Sequence, residues 1–450
     1  DYFGDGLSEE LLNALAGLDD LRVAARTSSF AFKNRGVDIR TIGDSLGVET
    51  VLEGSVRRSE DRVRVALQLI EAESGFGLWS EDFDRPLAGI LALQDEIAAS
   101  VVSTLLPRLR GEDAARVRGG TADIVAYDEY LLGRQKWHTR EVPALREAVE
   151  HFRRATERDS SFALAWSGLA DAIDALAFRD TSELKLVPEA RLAALHALAL
   201  DPELAEAWAS MGMLAGEFDW DQPLAQRALR RAIALRPSYA HAQRTLGSFL
   251  RNLGRVDESL RHLELALQLD PLSGLIREAY ALALHVAGDK VGAREQYEIA
   301  AELAPAAGSG AAIVWHAADL GLTADEAAQA AVTYATAAGL PEAASWELVG
   351  RGIVDPSLRE RARAFLAEAP ELDEFVRHQV SLALGNHEAA VEYLEAQRAV
   401  GGGDLHRIGV LPQYDPLRRH PLVLEIVREL GVPNGYDPVA RAPVWPEPAG

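Results

Sequence analysis

Cysteine is absent from the 450 residues, which removes disulfides, thiolate zinc sites and cysteine nucleophiles together. Basic residues are scarce: 46 Lys and Arg against 69 Asp and Glu give a formal net charge of −23. Nucleic acids and anionic membrane surfaces are held largely by Lys and Arg, so direct binding of either by this segment is not expected. No apolar run approaches the roughly 18–20 residues that span a bilayer. Aromatic residues reach only 7%, yet hydrophobic residues make up 48%, enough to fill a core in a chain of this length. Asp1 stands where an initiator Met would, which predicts a processed product or a piece of a longer chain.

Catalytic signatures are also missing. The eleven histidines are scattered; the closest pair, His378 and His387, is nine residues apart, so no helix carries two of them at metal-ligand spacing. "HEAAV" at His387 begins like a zinc-protease motif but lacks the second histidine, and reads as a helix start. There is no phosphate loop and no nucleophile elbow. "GDGLSEE" places a loop before a helix, but Asp5, Glu9 and Glu10 surround that end with negative charge, so Ser8 is read as an N-cap and not as part of an anion site. Glu81, Asp82 and Asp84 of "SEDFD" alternate across a strand and read as a solvated edge. The expectation is therefore no catalytic residue, no cofactor and no metal.

What the sequence does contain is a period. Pro202, Pro237, Pro271 and Pro305 are 35, 34 and 34 residues apart, and Ser160 takes the same place 42 residues before Pro202, the excess falling at "FRDTSELKLVPEA". Trp166, Leu169 and Ala170, then Trp208, Met211 and Gly212, then Leu246 and Gly247 repeat a bulky, apolar and small set. The following helices repeat another at i, i+4 and i+7: Ala148, Phe152, Ala155; Ala190, Ala194, Ala197; Ala225, Leu229, Ala232; Ser259, Leu263, Ala266; Ala293, Tyr297, Ala300. That spacing is one face of a helix. The pattern fades beyond Pro305, giving five clear helix pairs and two or three weak ones.

The spacing resembles the tetratricopeptide repeat family over residues 123–400. The resemblance implies a superhelix whose concave side is lined by the second, fifth, ninth and twelfth positions of each first helix. These are Leu164, Ser167, Asp171 and Asp174; Glu206, Ala209, Met213 and Gly216; His241, Arg244, Ser248 and Arg251; Leu275, Glu278, Leu282 and His285. The peptide-groove candidates among them are Asp171, Asp174, Glu206, His241, Arg244, Ser248, Arg251, Glu278 and His285, acidic at one end and basic at Arg244 and Arg251. The set that clamps a terminal carboxylate in some members is not matched, since Ser167, Asp171, Ala209 and Met213 stand there.

Residues 1–106 read differently. "LSEELLNALAGL" is an amphipathic helix with Gly17 near its end, "LRVAA" a short strand, "DIRTIGDSLG" a helix closing at Gly47, and "TVLEGSVRR", "DRVRVALQLI" and "GLWSEDFD" an antiparallel meander with Val63, Val65, Leu67 and Leu69 on one face. "GILALQDEIAASVVSTLL" follows as a helix. The order predicts an α+β domain, a mixed sheet with helices, ahead of the all-α repeat superhelix. "YFGDGLSEELLNALAGLDDLRVAARTSSFAF", "LGVETVLEGSVRR" and "LWSEDFDR" resemble the TolB-type amino-terminal domain. That resemblance implies a bacterial signalling protein, cytoplasmic or, with an upstream membrane segment, extracytoplasmic, whose effector is a nucleotide cyclase, a protein kinase or a winged-helix regulator. Residues 107–122 read as a linker, a helix from Pro421 to Leu430 as a cap within 401–450, and the tail beyond Pro433 as disordered. The expected partner is a protein or peptide; the oligomeric state is left open.

Overall fold

The computed structural model describes residues 2–18, 21–59, 62–86, 89–105, 120–305, 308–369, 372, 374–402, 405 and 407–446. Most of the expected linker lies outside the described residues. The chain divides into two compact units: residues 1–243 with 268–271, and residues 244–267 with 272–450.

The first unit opens with α1 (Tyr2–Leu15), the short α2 (Arg26–Phe30) and α3 (Ile39–Leu46). An antiparallel sheet follows in the order β1 (Thr50–Arg58), β2 (Arg62–Glu71), β3 (Gly77–Pro86), and then α4 (Ile90–Leu105). Val63, Val65, Leu67 and Leu69 of the central strand are all buried, as alternation requires when one face is covered. On the other face Asp84 accepts from Arg62 Nε at 2.7 Å and Arg64 Nη2 at 2.8 Å, so the "SEDFD" edge is a cross-strand ion-pair site.

Three helical hairpins complete this unit: α5 (Ile124–Thr139) with α6 (Val142–Arg158), α7 (Ala163–Arg179) with α8 (Val187–Leu200), and α9 (Ala205–Glu217) with α10 (Gln222–Leu235). Each copy closes its turn alike: Trp166 Nε1 donates to Ser160 O at 2.9 Å, Trp208 Nε1 to Pro202 O at 2.9 Å, and Gln243 Nε2 to Pro237 O at 3.3 Å. A 3-10 turn, Thr181–Leu186, with Asp180 capping it through Ser182 N, accounts for the 42-residue spacing. One continuous core runs from Phe3, Leu7 and Leu11 through Val65 and Ile97 to Tyr130, Phe152 and Leu169.

Two local expectations differ here. Ser8 lies inside α1, its hydroxyl donating back to Gly4 O at 2.9 Å, because the apolar face already begins at Phe3 and Gly6 sits hard against Leu131. The sheet is purely antiparallel: "LRVAA" is not a strand, having no ladder neighbour among the described residues. Its backbone is satisfied by repeat turns instead, Ala25 N donating to Leu269 O at 2.7 Å and Ser238 Oγ to Leu21 O at 3.4 Å, as buried backbone groups demand.

The second unit carries most of α11 (Ala240–Asn252) and α12 (Val256–Leu269), then α13 (Gly274–Val286) with α14 (Lys290–Leu303). Beyond these come α15 (Gly308–Trp315) and α16 (Ala324–Ala337), α17 (Trp346–Val354) and α18 (Arg359–Glu368), and α19 (Glu374–Ala383) and α20 (His387–Val400). Asn386 caps α20 by accepting from Ala389 N, so His387 is a helix start. All five i, i+4, i+7 sets named above are fully buried. The small first-helix residues face them: a Cβ on Gly247 would stand 2.7 Å from Leu263 Cγ, and one on Gly212 2.7 Å from Leu229 Cγ.

Helix α21 (Pro421–Glu429) packs on α20, where Arg398 pairs with Glu425 at 2.9 Å and also with Glu429. Beyond Pro433, where the sequence reads as disordered, the described residues run to 446 and include a small hairpin. Strands β4 (Tyr436–Asp437) and β5 (Ala442–Pro443) form a small hairpin that lays Pro443 on Gly254 and Pro438 on Gly288. Arg441 pairs with Asp257 there. Both glycines have positive φ, +73° and +87°, and leave bare backbone on which a proline ring can sit.

Candidate functional site

The groove positions of the first unit are built from the first helices of its hairpins. Asp171 on α7 and Asp174, one turn on, are buried, whereas Glu206 on α9 and His241 at the start of α11 are half-buried. Ser210 Oγ donates to Asp171 Oδ1 at 2.5 Å, Trp137 Nε1 to Asp171 O at 3.2 Å, and Arg236 Nη1 to Glu206 Oε1 at 2.8 Å. His241 Nε2 lies 3.0 Å from Met213 Sδ. Burial pushes the Asp171 carboxyl up to about 6, against the opposing pull of Ser210.

Helix α1 lies against α5 and supplies the charged part of this cluster. Glu9 accepts from Arg134 Nε at 3.1 Å and faces Arg26 Nε at 3.1 Å and His138 Nε2 at 2.9 Å. Burial alone would raise its pKa, but Arg134, His138 and Arg26 overcome that and hold it well below the carboxylate range. Burial pushes His138 down to about 4 in spite of Glu9, so at neutral pH the imidazole donates as a neutral group. Glu10 accepts from Tyr130 OH at 3.0 Å; burial, then Glu9 and Glu206, push it up to about 7.

Glu9, Glu10, Arg134, His138 and Tyr130 are not among the sequence candidates. Tyr130, Arg134 and His138 recur at four-residue spacing on one side of α5, a polar stripe that announces a charged partner. The "EE" pair on α1 is its complement.

In the second unit, Arg244 and Ser248 are half-buried and Arg251, a turn further along α11, is buried. Glu278 is half-buried on α13, and His285 lies buried near that helix's end. His285 Nε2 contacts Asp319, which also accepts from Lys290 Nζ at 2.5 Å. The ring is edge-on to His316 at 4.9 Å, and His316 stacks on Tyr297 at 5.3 Å. Burial pushes His316 well below its ordinary range; among the described residues no group of three or more His, Asp or Glu is placed to hold a cation. No described helix is long and apolar enough to cross a membrane.

No family model matches the chain. Over 170 residues it is 39% identical to "Putative adenylate cyclase 3" of Rhizobium meliloti (strain 1021), an alignment covering 38% of this chain and 29% of that protein. The chain thus spans less than a third of that relative's length. Among solved structures it is similar to PilW, a type IV pilus biogenesis factor (17% identity, 56% of this chain and 97% of that one, TM-score 0.36). It is also similar to a thermophilic tetratricopeptide protein of Thermus thermophilus (24%, 48% and 100%, 0.33), and to YrrB, described as a tetratricopeptide protein with an unusual peptide-binding site (21%, 41% and 89%, 0.28). These are local likenesses; the repeat architecture rests on the helix pairs themselves.

Proposed function

We propose that this chain is a non-catalytic, protein- or peptide-binding region of a bacterial signalling protein. Residues 1–106 form its TolB-type part, 107–122 join it to repeats over 123–400, and 401–450 close the array. The supporting observation is the 34-residue recurrence of helix pairs with the same fully buried face, because such pairs stack to share a core and present their first helices to a ligand. The groove candidates Asp171, Asp174, Glu206, His241, Arg244, Ser248, Arg251, Glu278 and His285 belong to this reading, as does a cytoplasmic location.

The test uses the full chain as bait in a bacterial lysate, with the folded double variant Arg244→Glu plus Arg251→Glu as control. A partner kept by the wild type and lost by the variant is the expected result. Equal retention overturns the placement of the groove, and a wild type that retains nothing overturns the binding role. A second reading is favoured by the 39% identity to a protein named as an adenylate cyclase: the chain is the regulatory part of a nucleotide cyclase whose effector lies elsewhere in a longer protein. A kinase or winged-helix effector fits the TolB-type reading equally. Cyclic AMP formed from ATP and Mg²⁺ by the purified chain alone would overturn the non-catalytic assignment.

A further inference from the structure

In the second unit one buried cation has no ion-pair partner among the described residues. Arg251 is 3% exposed, and its Nε and Nη2 donate to the side-chain oxygen of neighbouring Asn252 at 3.2 and 2.9 Å. Among the described residues it forms no ion pair. The charged groups that act on it are two cations, Arg407 and Arg244, and one carboxylate, Glu278, with Arg407 the strongest. Burial, and then Arg407, pull its pKa down to about 9. Two further polar atoms on the adjoining helices are buried and without partners, the Tyr297 hydroxyl and His285 Nδ1, on rings 6.4 Å apart.

Taking a guanidinium out of water without a counter-charge is strongly unfavourable, and an apolar side chain of similar volume would serve packing better. Asn252 offers a dipole, not a charge. Arg251 commits two nitrogens to it and leaves Nη1 for an incoming oxygen, and a carboxylate matches a guanidinium edge. Nearby Glu278 favours a singly charged anion over a dianion.

We infer that Arg251 anchors one carboxylate of an acidic peptide partner laid over α11 and α13. This rests on the peptide-binding reading above and gives the partner a chemistry.

The test offers the full chain two immobilised random pools of about twelve-residue peptides, one with a fixed central Glu and one with Gln in its place. The wild type should retain the Glu pool about tenfold better. Arg251→Met, which keeps volume and removes the buried charge, should lose that preference and melt about 2–4 °C higher. Equal retention of both pools by the wild type overturns the carboxylate site and leaves peptide binding standing. Retention of neither overturns both. A variant that melts lower assigns Arg251 a structural role and overturns the inference whatever the pools show. The Glu-against-Gln comparison is made on the wild type, so it does not depend on the variant folding.

Discussion

Glu9 carries more charge contacts than any other side chain described above, and its removal has a calculable sign. Glu9→Ala strands Arg134 and Arg26 against an apolar core, which should cost about 3–5 kcal/mol in urea unfolding of the first unit. Glu10 supplies a pH dependence. Its folded pKa of about 7 lies above the ordinary 4.5, so the folded form holds the proton more tightly. The stabilisation is complete below about 4.5 and is lost as pH rises through about 7, amounting to about 3 kcal/mol. Asp171, raised from 3.8 to about 6, acts in the same direction. Glu10→Gln keeps an acceptor for Tyr130 and should flatten the fall of the urea midpoint between about pH 5 and 8; an unchanged slope would rule Glu10 out as its source. The sequence carried only a partial signal for this, the Tyr130, Arg134 and His138 stripe on α5, because Glu9 and Glu10 there belong to a solvated helix end, and only α5 packing on α1 takes them out of water.

At the scale of elements the repeats were legible almost to the residue, since each buried set is dictated by local spacing that every copy restates. Gly247→Leu would drive a side chain into Leu263 and should cost about 1–3 kcal/mol, read as a lower melting temperature; an unaltered value would refute this register. The C-terminal hairpin was illegible for the opposite reason: a proline- and glycine-rich segment has no periodicity, and its contacts are with glycine turns 150 or more residues away in sequence. Gly288→Ala combines a strained positive φ with a clash on Pro438 Cβ at 2.9 Å. It should release the tail and raise its proteolytic cleavage rate while the repeat helices keep their circular dichroism. Cleavage at the wild-type rate would show that the prolines do not hold the tail.

For the whole molecule, two compact units with separate cores predict departure from two-state unfolding. Calorimetry should resolve more than one transition, with Glu9→Ala moving only the one that belongs to the first unit. A single transition with matching calorimetric and van't Hoff enthalpies would refute this. The sequence divides the chain at composition, near residues 107–122, whereas compactness divides it inside α11; charge and glycine content mark a change in composition but do not reveal which faces are shared.

The glutamate seated among Arg134, Arg26 and His138 also bears on inheritance. A recombination event that moved the repeats without the amino-terminal layer would leave an arginine stranded at an exposed apolar face. The converse transfer would leave a helix with two acids and nowhere to seat them. The sheet, its helices and the first hairpin are therefore expected to travel between genes as a single cassette.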